Sequence, residues 1–148
     1  EIALRGGFMA GYWNKPEKTA EALRDGWLCT GDIGSMDADG CITMLGRRSE
    51  LIKVGEQSWY PRDIEEILAE IAPIRLAALI GVVRPEGTVP IAAVTISGEQ
   101  PLDRAACLAA LKARTPYDID RLDIVVVDEM PMTPTGKIAK AELAQRFG

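Results

Sequence analysis

Histidine is missing from the chain and cysteine is sparse, with Cys29, Cys41 and Cys107 the only three in 148 residues. An odd, widely spaced set of thiols with no imidazole nearby outlines neither a disulfide framework nor a zinc site. The three read as small apolar side chains, and no metal ligands are assigned to this sequence. No apolar run approaches the roughly 18 residues needed to cross a bilayer, and no charged-then-apolar leader opens the chain. The expectation is a soluble, cytoplasmic protein without a membrane span. Basic residues are scattered rather than striped, and the net charge of −5 repels nucleic acid, which is excluded as a partner. Internal repeats and low-complexity stretches are also lacking. At this length the prior is one domain, and 47% hydrophobic residues suffice to bury a core.

What the chain does have is a distinctive turn near its carboxyl end, Pro131-Met132-Thr133-Pro134-Thr135-Gly136-Lys137. Two prolines fix φ near a single value and the glycine relieves the turn just before the lysine, so the backbone is stiff on one side and permissive on the other. A stiff loop can aim a charge, which makes Lys137 a candidate working residue. A solvated lysine fits the same heptapeptide. Two upstream segments bear on the choice. Gly26 to Gly34, followed by Asp37-Ala38-Asp39-Gly40 and the apolar run Cys41 to Leu45, reads as a β-hairpin with an Asp-Gly turn. Gly46 to Gly55, running on to Tyr60-Pro61-Arg62-Asp63-Ile64-Glu65-Glu66, reads as a short strand giving way to a helix start. Asp32 in isolation reads equally as a turn former or a cap acceptor.

A boundary falls near Arg48-Ser49-Glu50, dividing an amino-terminal β-hairpin subdomain, residues 1–48, from an α/β pattern in residues 49–148. Pro61 at a first helical position, acids in the opening turns, and Ile64, Ile67, Leu68 and Ile71 at helical spacing predict an amphipathic helix facing a sheet. Leu76 to Val83 and Ile91 to Ile96, separated by Arg84-Pro85-Glu86-Gly87, predict an antiparallel pair. Asp103 opens a helix to about Ala113 with Leu108 and Leu111 inward, Leu122 to Val127 makes a third strand, and Ala139 to Phe147 a last helix. The fold class is α+β, with a mainly antiparallel sheet and flanking helices.

In order, these segments resemble the adenylate-forming superfamily of acyl-CoA synthetases, aryl-CoA ligases, luciferase and peptide-synthetase adenylation domains. The likeness covers nearly the whole chain. It runs through Glu1 to Tyr12 with Asn14 to Ala20, then GWLCTGDIG, GRRSELIK and PMTPTGKIAK, four motifs at about the family's spacing. Members of that family are several times longer, and their acyl pocket and glycine-rich phosphate loop find no match here. The chain is therefore expected to be a carboxyl-terminal portion, inactive alone. Residues 1–48 would end the large amino-terminal domain of the same enzyme, its structural partner, and 49–148 would form the mobile lid.

The resemblance also implies roles. Adenylation brings a carboxylate to the α-phosphate of ATP, and a lysine ammonium with ordinary pKa about 10.4 stays charged to lie between those anions, the role carried by Lys137. Asp32, with Thr30 in the same motif, would meet the ribose diol, because a carboxylate accepts from two hydroxyls. Arg47 would support the nucleotide from the ribose or phosphate side, and a surface arginine paired with a neighbouring acid is its alternative reading. Ser49, two places later, would be the hinge about which the lid turns, where the family usually carries aspartate or lysine. Lys53 would approach the adenylate in the second conformation. Gly55 and Glu56 would border the path of the incoming thiol, where the family has glycine at the position of Glu56. A glutamate there would obstruct or repel a pantetheine arm. The implied cofactors are ATP, Mg2+ with ligands outside this chain, and CoA. The implied reaction is ATP-dependent ligation of an organic or fatty acid to CoA through acyl-AMP. The alternatives are an acyl-AMP ligase loading a carrier-protein pantetheine, for which Tyr60 to Glu65 resembles fatty acyl-AMP ligases, and a non-catalytic lid or interaction module.

Overall fold

The computed structural model describes residues 1–98 and 100–148. Two compact units divide it, Glu1–Glu50 and Leu51–Gly148.

In the first unit, Asp37 organises the hairpin between β4 (Asp32–Met36) and β5 (Ile42–Arg47). Its Oδ1 accepts from the amides of Asp39 at 3.0 Å and Cys41 at 2.8 Å, an Asx arrangement that fixes the turn locally. A smaller antiparallel sheet precedes it, in the order β1 (Ala3–Arg5), β3 (Trp27–Cys29), β2 (Leu23–Arg24). Between β1 and β2 lies α1 (Pro16–Ala22), a helix without an apolar stripe, signalled only by Pro16 at its start and Glu17 in its first turn. No residue of Glu1–Glu50 is fully buried. That corrects the reading of the cysteines: Cys107 alone is a buried apolar filler, Cys29 is half-buried and Cys41 is exposed. The run from Cys41 to Met44 is apolar in composition, but a two-stranded hairpin has nothing to cover it. The 3-10 turn Arg48–Glu50 belongs with this unit. Arg48 donates its amide to Gly31 at 2.8 Å and its Nη1 meets Glu1 Oε2 at 3.2 Å, which ties this turn to the first unit.

The second unit opens with a hairpin of β6 (Ile52–Val54) and β7 (Gln57–Trp59), followed by α2 (Pro61–Ala69). Its centre is the long antiparallel pair β8 (Ile74–Arg84) and β9 (Gly87–Ile96), in register from Ile74 opposite Ile96 to Arg84 opposite Gly87. The connection is a tight turn at Pro85-Glu86, shorter than the four-residue separation read from the sequence. After α3 (Arg104–Arg114), β10 (Asp123–Val126) joins the other side of β9 in parallel, and α4 (Lys140–Phe147) ends the chain. The parallel pairing follows from the crossover, since the α3 segment must carry the chain back before β10 can begin. The sheet order is β10-β9-β8, so β8 is an outer strand.

Alternation along β8 and β9 produces two apolar faces. One face presents Leu79, Ala92 and Val94 to Ile64, Ile67 and Leu68 of α2, to Cys107 and Leu111 of α3, and to Ile52, Val54 and Trp59 of the hairpin. The other presents Ala78, Ile80, Val82, Ile91 and Ala93 to Met130 and to Leu143 of α4. On α3 the inward stripe is Cys107 and Leu111, four residues apart, with Leu108 only partly buried at its flank. Asp103 caps that helix as expected, its Oδ1 accepting from the Ala106 amide at 3.0 Å. Leu111→Ala is therefore expected to cost about 2–5 kcal/mol by cavity formation, and Asp103→Ala about 0.5–2 kcal/mol by loss of the cap. Guanidinium unfolding followed by circular dichroism measures both. A Leu111→Ala loss no larger than that of the cap variant would contradict the packing described.

Candidate functional site

Asp32 and Arg47 stand opposite each other across the β4–β5 ladder, and Arg47 Nε lies 2.9 Å from Asp32 Oδ1. The Asp32 side chain is 22% exposed and that of Arg47 59%, so solvent screens the pair, and such pairs contribute about 0.2–1 kcal/mol. Two residues expected to serve a nucleotide are thus brought together and bound to each other. Thr30 is committed to the backbone, donating its hydroxyl to Ile2 O at 2.8 Å and accepting from the Asp32 amide at 3.1 Å. A cleft of about 600 Å3 opens beside these residues, with Thr30, Gly31, Arg47, Ser49, Lys15 and Lys18 among its lining. Ser49 is exposed in the 3-10 turn.

In the second unit, Lys53 is exposed in the middle of β6, while Ile52 and Val54 on either side are buried. Period-2 alternation alone directs its ammonium away from the core. Gly55 closes the hairpin at φ +60, and a Cβ there would lie 3.0 Å from Arg121 Nη1, so both backbone angle and space favour glycine. Glu56 follows it at the tip, exposed.

Polar side chains that the sequence did not single out brace this hairpin. Gln57 Oε1 accepts from Trp59 Nε1 at 3.3 Å and from the Asp118 amide at 3.1 Å. Trp59 stacks on Tyr117 with ring centroids 4.8 Å apart. The Tyr117 hydroxyl accepts from the Tyr60 amide at 3.1 Å and donates to Asp63 Oδ2. Burial, and then the bond to the Asp63 carboxylate, push the Tyr117 phenol far above its ordinary value.

Lys137 sits on a loop that is closed on itself. The Thr133 amide donates to Lys137 O at 2.7 Å, the Lys137 amide donates to Thr133 Oγ1 at 3.1 Å, and the Gly136 amide donates to Thr133 O at 2.9 Å. Gly136 takes φ +78, a conformation its lack of Cβ makes accessible. Below, Met132 bridges Ile138 and the Ala139 amide donates to Pro131 O at 2.8 Å. The Lys137 backbone is thus held from both sides while its side chain is exposed and makes no ion pair with any described residue. Met130 and Ile138 seat the loop on the face that also carries Leu143, whereas the hairpin of Lys53 packs on the opposite face. Among the described residues no three His, Cys, Asp or Glu side chains gather to hold a metal ion, and no helix is long and apolar enough to cross a membrane.

This α+β arrangement, with its Pro/Thr/Gly turn leading into the last helix, is that of a known class of domain. The chain belongs to the AMP-binding enzyme C-terminal domain family, whose profile matches residues 63–137. A feruloyl-CoA synthase of Amycolatopsis sp is 36% identical over all of this chain, which spans 30% of that enzyme. Among solved structures, an amide bond synthetase from Marinactinospora thermotolerans superposes with TM-score 0.85 at 33% identity, over 99% of this chain and 30% of the synthetase. The o-succinylbenzoate CoA synthetase of Bacillus subtilis, in complex with its acyl-adenylate intermediate, superposes with TM-score 0.86 at 28% identity, over 97% of this chain and 30% of the other.

The raised Tyr117 value sets a sign. The unfolded phenol loses its proton near pH 10 while the folded one keeps it, so folding stability falls as pH rises through about 10. Tyr117→Phe is expected to flatten that decline, measured as the difference in urea unfolding free energy between pH 9 and pH 11. An unchanged decline would remove the half-buried Tyr117 hydroxyl as its source.

Proposed function

We propose that this chain is the carboxyl-terminal part of an ATP-dependent carboxylate–CoA ligase that activates an organic acid as acyl-AMP and passes it to CoA. The observation that carries this reading is the 36% identity to feruloyl-CoA synthase over the chain's full length, alongside the four motifs that this sequence carries in order. The chain's 30% share of that enzyme supports a larger protein around it. The first unit supports the same: fifty residues without one buried side chain suit a surface layer of a bigger domain, here the amino-terminal domain of the same enzyme. In this reading residues 1–48 end that domain, residues 49–148 form the lid, and Ser49 is the point about which the lid turns.

The chemistry follows from charge. A carboxylate and a phosphate repel each other, and the exposed, unpaired ammonium of Lys137 on a rigid loop is suited to lie between them. Asp32 binds Arg47 through Oδ1, leaving Oδ2 to accept from a ribose hydroxyl, and the pairing orients Arg47 beside the cleft lined by Thr30. Magnesium accompanying ATP would neutralise phosphate charge, with ligands outside this chain. Lys53, on a hairpin strand packed against the other sheet face, is suited to a second step in which the thiol attacks the adenylate carbonyl and AMP leaves. A second reading is favoured by Glu56: an exposed carboxylate at the hairpin tip repels CoA, which carries a nucleotide's additional phosphates, more than the single phosphate of a carrier-protein pantetheine, which suits an acyl-AMP ligase. A non-catalytic lid module is the outcome if the full-length protein neither exchanges pyrophosphate nor forms a thioester with Lys137 intact.

Lys137→Ala in the full-length enzyme is expected to lower acid-dependent ATP–pyrophosphate exchange by about 10²- to 10³-fold. Thioester formation from supplied acyl-adenylate should remain largely intact, and equal loss of both half-reactions would count against assigning the two lysines to separate steps. Glu56→Gly should accelerate CoA thioester formation. An unchanged rate, with exchange normal, would remove the obstruction at the tip.

A further inference from the structure

Lys140 is out of place by local rules. It opens α4, where the helix dipole disfavours a cation, and the preceding Ala139 offers no side-chain cap. Its ammonium meets Glu65 Oε1 of α2 at 2.8 Å, and the same oxygen accepts from the Leu79 amide at 2.8 Å. That amide belongs to β8, an outer strand whose free donors need a partner. α2 covers one face of the sheet and α4 the other. The Glu65–Lys140 pair therefore reaches around the β8 edge and joins both covering layers. At 23% and 26% exposure its side chains are shielded more than most surface pairs in this protein.

We propose that Glu65 and Lys140 are positioning residues for the adenylation half-reaction, a clip that fixes where α4 begins and thereby the location of Lys137 three residues upstream. This rests on the role given to Lys137 above. The self-closed loop of residues 131–139 fixes its own shape but not its placement against the sheet; its two ends, Met130 with the β10 side and Lys140 with the β8 edge, set that. A misplacement of about 1 Å at a reacting group is enough to cost about 10²-fold in rate. Removing Glu65 takes away the tie between the helix start and α2 at the β8 edge, and a shift of that order at the helix start is the expected consequence.

The test uses the full-length enzyme with Lys140→Met, Lys140→Arg, Glu65→Gln and, as reference, Lys137→Ala. Lys140→Met and Glu65→Gln are expected to lower kcat for ATP–pyrophosphate exchange by about tenfold or more with KM for ATP unchanged, to leave thioester formation from supplied acyl-adenylate at the wild-type rate, and to speed hydrogen exchange at the Ala139 and Leu143 amides. Lys140→Arg should restore all three. If Lys137→Ala abolishes exchange while Lys140→Met and Glu65→Gln match wild type, the clip is overturned and the role of Lys137 stands. If both half-reactions slow equally in the clip variants, the pair is merely structural and the proposal fails. If Lys137→Ala itself leaves exchange intact, the underlying assignment falls and takes the clip with it.

Discussion

The second unit depends on the β8–β9 ladder. Its alternating side chains are apolar on both sides, so neither face is stable until it is covered. Burying each Val, Leu or Ile side chain is worth about 1.5–3 kcal/mol, more than an exposed ion pair contributes. Two covering layers are therefore obligatory, and the chain supplies them from different stretches of sequence. α2, α3 and the β6–β7 hairpin close one face, while α4 and the loop before it close the other. Because Lys53 lies on one covering layer and Lys137 on the other, the demand for a two-sided core also separates these two lysines. The two steps proposed for these lysines would then fall on two faces of one domain.

The first unit is held by other forces. Lacking a buried side chain, it relies on backbone ladders and on polar ties such as Thr30 to Ile2 and Arg48 to Glu1. Ties of this kind contribute little free energy when exposed, but they fix geometry. The residues they fix are Thr30, Asp32 and Arg47. Under the proposed function, positioning by hydrogen bonds with stability drawn from elsewhere is what a nucleotide-facing segment would require.

Local chemistry was legible in the sequence wherever it acts over a few residues. Asp37-Ala38-Asp39-Gly40 pointed to the hairpin turn, Pro61 and Asp103 to two helix starts, and β-branched runs to β8 and β9. α1 was not legible, because it buries nothing and leaves no stripe. The exposure of Cys41 was hidden for a related reason: composition shows that a segment is apolar, not that anything will cover it. The parallel direction of β10 is a property of the crossover rather than of the strand. Tyr117 with Asp63 and Lys140 with Glu65 join residues far apart in the chain, and no spacing rule finds such pairs. Of the candidate site, the lysines, Asp32 and Arg47 rested on motifs, while the pairing of Asp32 with Arg47 and the side chains that brace the hairpin emerged only from the structure.

The carboxyl-terminal motif contains two lysines with opposite circumstances, and the difference has a physical reason. An ammonium that must settle between two anions gains most when no resident carboxylate competes for it, since an existing salt bridge would have to be broken first. Lys137 makes no ion pair with a described residue, and its backbone is locked by Thr133. Lys140 is the reverse, with its charge shielded and matched to Glu65. Freedom at the head is useful only if the stem does not wander, because an untethered cation spreads its position over a volume in which few placements stabilise the developing charge. A rigid loop with an unpaired tip, seated on a helix whose start is pinned, reconciles the two demands; exchanging the partners of the two lysines would satisfy neither.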